Sequence, residues 1–181
     1  NVVNLGSKSH SFELLSTDNK YLKYSDIKRE NGIVIAFICN HCPYVKNMIK
    51  RIVDDFTFLI NINFGAVAVM SNDYTTYKDD SYERMQEFFK LNSFAFPYLL
   101  DDTQEIARNY GAVCTPDFFC YDANDQLFYR GRLDNISYNE KDNANRCKEL
   151  ILAVEEKISN NKLVKTQKSS MGCSIKWRKE T

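Results

Sequence analysis

Cys39-Asn40-His41-Cys42-Pro43 is where residue types and spacing are set for chemistry. Two cysteines separated by two residues can close a small disulfide ring, and the residues between them tune its redox balance. The segment follows a continuous apolar run over 32–38. It precedes apolar positions at Val45, Met48, Ile49, Ile52, Val53 and Phe56. The run reads as a strand buried on both faces, and the spaced set as a helix with one buried stripe. Pro43 sits near the helix start, where a missing N–H costs little. A thiol at a strand–helix junction meets the positive end of the helix, which favours the thiolate, so the first cysteine is expected to be activated there.

Around this junction the pattern alternates strand and helix. Ser11–Leu15 and Lys20–Tyr24 flank the polar turn 16–19 and read as a β-hairpin. Gly65–Met70 is a second buried strand, Ser81–Lys90 a helix and Phe96–Leu100 a short strand. Asp102 or Thr103 is expected to cap a helix that Gly111 stops. Asp117–Tyr121 and Leu127–Arg130 form a hairpin across 122–125, and a last helix is expected over 145–159 with Cys147 on its apolar face. Parallel strands with crossover helices and a terminal antiparallel hairpin make an α/β sandwich. Residues 1–160 are expected to form one domain, with 161–181 a polar, basic tail that is mobile or loosely docked.

The chain has 24 Lys plus Arg against 24 Asp plus Glu, so charge gives no reason to expect nucleic acid or an anionic membrane as partner. No apolar run is long enough to span a bilayer. Of six cysteines, only Cys39 and Cys42 are closely spaced, which fits a reducing compartment with one reactive pair. The first residues lack the look of a signal peptide, and the expected location is the cytoplasm.

Three motifs carry a family resemblance: Phe37–Pro43, Gly111–Asp117 with Cys114-Thr115-Pro116 at its centre, and Tyr129–Asp134. The chain resembles the thioredoxin superfamily, and within it the peroxiredoxin-related branch of alkyl hydroperoxide reductase and thiol-specific antioxidant proteins. The segment Ser170–Trp177 is similar to the tail of one peroxiredoxin-like subgroup. The resemblance implies a thioredoxin-like three-layer sandwich, with a central mixed sheet, helices on both faces and an N-terminal hairpin. It implies that Cys39 attacks and Cys42 resolves, with Asn40, His41 and Pro43 modulating them. Thr115-Pro116 would be a cis-proline site that binds substrate. The partners implied are protein or small-molecule thiols and disulfides, with a thioredoxin- or glutathione-type reductant. The chemistry calls for no cofactor.

The chain also departs from the family. Ile33 stands where thioredoxins commonly bury an acid, and Ile38 where a Trp often precedes the motif. If Cys42 aligns with the peroxidatic cysteine of peroxiredoxins, Cys39 and Ile35 replace their Thr and Pro. These losses argue against efficient peroxide turnover, although Arg130 or Arg132 could bring a cation to the site. Exchange of disulfides is therefore the leading reading, and thiol peroxidase the alternative. Metal binding by Cys39, His41, Cys42 and Cys114 is a third, weakened because His10 and His41 are the only histidines. Cys114 is a packing residue, an additional redox thiol or a ligand; Cys120 and Cys147 read as packing. Cys173, in a polar tail, is either a thiol that reaches back to the pair or incidental. Trp177 is read as an anchor for that tail.

Overall fold

The computed structural model describes residues 4–140 and 143–179. Strands β1 (Glu13–Ser16) and β2 (Tyr21–Lys23) form the first hairpin, followed by a one-turn helix α1 (Tyr24–Ile27). Then come β3 (Ile33–Phe37), α2 (Pro43–Asn61), β4 (Gly65–Met70), α3 (Tyr82–Leu91), β5 (Tyr98–Leu100) and α4 (Glu105–Tyr110). The short β6 (Cys114–Thr115) precedes β7 (Asp117–Tyr121) and β8 (Leu127–Gly131), and α5 (Glu149–Asn160) and β9 (Cys173–Ser174) close the chain.

Seven strands make one sheet in the order β2-β1-β5-β4-β3-β7-β8. The β3–β4 and β4–β5 pairs are parallel, and the rest antiparallel. Alternation along β3 builds both cores. Val34 and Ala36 face a cluster with Val45, Ile52 and Phe56 of α2, Met85 of α3, and Leu150 and Val154 of α5. Ile33, Ile35 and Phe37 face the other, with Ile27 of α1 and Ile106 and Tyr110 of α4. Helices thus cover both sides, the three-layer sandwich expected from the sequence. Gly32 admits the chain into β3 at φ 127°, where a Cβ would lie 2.2 Å from the Tyr121 carbonyl oxygen. Among the described residues, no helix is long and apolar enough to cross a membrane.

One local expectation is corrected and two are sharpened. At the start of α4 the Thr103 hydroxyl accepts from the Glu105 amide at 3.3 Å, and the Asp101 carboxylate adds bonds from the amides of Ile106 (3.3 Å) and Ala107 (3.0 Å), while Asp102 pairs with Tyr74 and Arg178. Cys147 is exposed and lies before α5, because its amide donates to Asn135 Oδ1 at 2.6 Å. The tail is docked: Gln167 receives the Arg130 amide at 2.8 Å, Ile175 is buried in the second core, and the Arg108 guanidinium stacks on Trp177 at 4.4 Å.

Below the thiol end of α2, a lattice of buried ions braces the helix. Arg51 donates to Asp134 at 2.9 Å, and Arg146 joins Asp134 at 2.6 Å to Asp55 at 2.5 Å. The Asp55 and Asp134 carboxylates are almost wholly shielded from solvent.

Candidate active site

Chain leaving β3 turns through Ile38–His41 and enters α2 at Pro43, with Cys42 as the residue before the first helical position. Pro43 suits that place because its missing N–H would be unpaired there anyway. The residue at the helix end is thus Cys42, whereas Cys39 lies three residues earlier. Both thiols are free, and both are buried, Cys39 at 1% exposure and Cys42 at 0%. Thr115 binds the two: its hydroxyl contacts the Cys39 sulfur at 3.5 Å, and its carbonyl lies 3.1 Å from the Cys42 sulfur.

The sulfurs also share a hydrogen bond, which raises the Cys39 thiol and lowers that of Cys42. Burial and the negative charge of Asp80 push Cys39 further up. The amides of Val45, in the first turn of α2, and of Cys173 favour the Cys42 anion. These opposite shifts make Cys42 the more acidic thiol of the pair; when protonated it donates to the Thr115 carbonyl.

Asp80 is the residue that the sequence reading missed. It ends a 3₁₀ turn (Lys78–Asp80) after β4 and is fully buried. It accepts from the Asn40 amide at 2.8 Å and from Asn72 Nδ2 at 2.9 Å, and its other contact is His41 Nδ1 at 2.6 Å. Asn40 also accepts from the Tyr98 hydroxyl at 2.8 Å and donates to the Asp79 carbonyl at 3.1 Å. His41 lies flat against Tyr77, with ring centroids 5.9 Å apart. The loop between the cysteines is thus clamped to the β4–α3 connection. An acid reaches the thiols from there, and not from Ile33 on β3.

The Thr115-Pro116 peptide is cis. The Cys114 thiol donates to the Pro116 carbonyl oxygen at 3.4 Å, and burial pushes it up to about 12. Neither candidate arginine serves the thiols. Arg130 lies 3.4 Å from Asp117 and over the Phe119 ring, and Arg132 holds Glu149 through two hydrogen bonds. The metal-like group among the described residues is Cys39, His41 and Asp80, whose donor atoms lie within 4.8 Å of one another; Cys42 and Cys114 are outside it.

Cys173 does come to the site. Strand β9 pairs antiparallel with β6, placing Cys173 opposite Thr115 and Ser174 opposite Cys114. Thr115, opposite it, accepts from the Cys42 thiol at 3.1 Å, and the nearness of Cys173 favours the Cys42 anion. Three thiols therefore meet, one from the β3–α2 loop, one from the start of α2 and one from the tail.

Residues 5–130 match the AhpC/TSA family. The chain belongs to the AhpC/TSA family. The match covers the Cys39–Cys42 loop and Thr115-Pro116, and ends before β9. No curated protein matches the chain. Among solved structures, an uncharacterized conserved protein from Geobacillus kaustophilus shares 36% identity at a TM-score of 0.92, covering 100% of this chain and 96% of that one. A hypothetical protein from Sinorhizobium meliloti 1021 shares 30% identity at a TM-score of 0.90, covering 98% of this chain and 97% of that one. The fold also matches the thioredoxin domain of a thiol-disulfide oxidoreductase from Bacteroides vulgatus, at 12% identity and a TM-score of 0.66 over 87% of this chain and 100% of that one. Within the AhpC/TSA family, then, this member carries a Cys-x-x-Cys pair and a docked tail that brings a third thiol.

Proposed function

We propose that the protein is a thiol–disulfide oxidoreductase working through Cys39 and Cys42. The observation that carries this reading is the pair of free, buried thiols at the β3–α2 junction, both held by Thr115, and the opposite shifts of the two thiols support it. A thiolate and a thiol in contact are the reduced form of a pair able to close a disulfide. The geometry favours Cys42 as the sulfur that holds the charge, with Cys39 as the thiol that must lose its proton. His41 and Asp80, clustered with the Cys39 sulfur, are the base at hand for that proton. Thr115 and Asn40 position the two sulfurs, and Pro43 fixes the helix start. The electrons pass to a protein or small-molecule disulfide and are restored by a thioredoxin- or glutathione-type reductant, in a reducing compartment such as the cytoplasm.

A second reading, peroxide reduction at Cys42, is favoured by that residue's lowered thiol and by membership of the AhpC/TSA family. Against it, Arg130 and Arg132 are paired elsewhere. Two assays on the reduced protein separate the readings. Reduction of insulin disulfides that is lost in both Cys39→Ser and Cys42→Ser supports exchange. Rapid hydrogen peroxide consumption that survives in Cys39→Ser, without insulin reduction, overturns it in favour of the peroxidase. Thiolate absorbance in the ultraviolet should persist well below the ordinary cysteine range in the wild type and vanish in Cys42→Ser.

A further inference from the structure

A redox pair must be reached by its substrate, and this one is covered. Cys39 and Cys42 expose 1% and 0% of their surface, so an external disulfide cannot approach either sulfur along the line that displacement needs. The cover is the tail segment 167–178, here called the strap. Gly172 lies directly on the Thr115-Pro116 peptide: a Cβ there would be 2.1 Å from the Thr115 carbonyl oxygen and 3.0 Å from Pro116 N. Beyond β9, the Ile175 amide donates to the Val113 carbonyl at 3.2 Å and the Lys176 amide to Asn72 Oδ1 at 2.9 Å. Gln104 grips the Lys176 carbonyl at 2.8 Å and the Arg178 amide at 2.9 Å. A strap held at so many points is not a frayed end. Its one thiol is partly exposed and stands on the strand residue paired with Thr115, whose carbonyl accepts from the Cys42 thiol.

We propose that Cys173 is a third redox thiol, through which disulfide substrates exchange electrons with the buried pair. This rests on the exchange reading above and names the route by which that site is reached. Cys173 first passes its proton to Cys42. The Cys173 thiolate attacks an external disulfide RSSR, forming Cys173–S–S–R and releasing RS⁻, which takes the proton from Cys42. The Cys42 thiolate attacks the Cys173 sulfur, forming the Cys42–Cys173 disulfide and releasing the second RS⁻, which takes the proton of Cys39 by way of the His41–Asp80 pair. The Cys39 thiolate then attacks Cys42, leaving a Cys39–Cys42 disulfide and the Cys173 thiolate. In sum, RSSR is reduced to two RSH, and the inner pair is oxidised. The substrate class is a disulfide small or mobile enough to meet a single sulfur at the surface of the strap.

Oxidised glutathione is the probe. In Cys39→Ser the relay stops one step early, so peptide mapping should find a Cys42–Cys173 disulfide and no retained glutathione. Glutathione retained on Cys42 or on Cys173 without the cross-link overturns the proposal. In Cys173→Ser and Cys173→Ala, oxidation of the inner pair by glutathione disulfide should slow by at least about tenfold, because access is lost. Alkylation of Cys42 by iodoacetamide, which cannot be relayed, should stay at the wild-type rate. Oxidation of both variants at the wild-type rate overturns the relay. Failure of the wild-type Cys39–Cys42 disulfide to form under diamide overturns the exchange reading instead, while failure of the cross-link overturns the relay alone.

Discussion

Replacing Gly172 by alanine places a methyl group where the structure has backbone. The new carbon would stand 2.1 Å from the Thr115 carbonyl oxygen, 2.5 Å from its carbon and 3.0 Å from Pro116 N. None of these atoms belongs to a side chain that can rotate away, so either the strap or the Thr115 loop must move. Overpacking of this kind costs about 1–3 kcal/mol. The opposing hold includes Ile175, whose buried side chain contributes about 1.5–3 kcal/mol. The strap therefore stays closed in most molecules but opens more often. A cost of about 1–3 kcal/mol raises the open fraction by about 5-fold to 150-fold. Iodoacetamide labelling under native conditions, resolved by peptide mapping, reads that fraction at Cys42. Cys120, fully buried in β7, reports global unfolding and should stay unlabelled over the same period. Wild-type labelling of Cys42 in Gly172→Ala, with an unchanged denaturation midpoint, would refute the claim that the strap seals the thiols.

Asp80→Asn keeps the shape of the side chain but removes the charge that pushes Cys39 up. In a Cys42→Ser background, ultraviolet thiolate absorbance should show Cys39 ionising at lower pH when Asp80→Asn is added, and an unchanged profile would mean the charge does not reach the sulfur. Arg146→Ala strands Asp55 without its 2.5 Å partner, and Asp134 loses one of two guanidiniums. Denaturant unfolding should register a loss of about 3–5 kcal/mol, and a loss near zero would contradict the burial argument. Asp73, beside the strap, is held down to about 2 by hydrogen bonds from Thr75 and Thr76. A depressed carboxylate contributes stability that is present above its unfolded value, about 3.9, and lost as pH falls toward 2. The stability gap between wild type and Asp73→Asn should therefore close between about pH 5 and pH 2; a gap constant across that window would count against the assignment.

What the sequence made legible follows from periodicity. β3 and β4 are buried on both faces, so their apolar runs are unbroken, and α2 shows its stripe because one side faces core. Cys147 was misplaced because Leu150, Ile151 and Val154 extend a helical pattern back over a residue whose amide is engaged by Asn135. Asp80 could not be read, since it lies in the polar stretch 71–80, and nothing local marks one carboxylate there as buried. Its role comes from a chain crossing between β4 and the Asn40 loop. The strap did carry a signal. Cys173 and Ile175 alternate with Ser174 and Lys176, the period of an extended segment, and of these Ile175 is buried. The basic character of the surrounding residues hid it. The helix start at Pro43 was legible, because proline suits the first helical position.

The ion lattice beneath α2 has a thermal consequence. Removing charges from water is penalised less as temperature rises, while apolar burial stops gaining strength. Arg51, Asp55, Asp134 and Arg146 join α2 to the segment between β8 and α5. On heating, this joint should yield later than the greasy contacts above it. The helix that presents Cys42 would then keep its seat in a warm cell, even as the chain around it loosens.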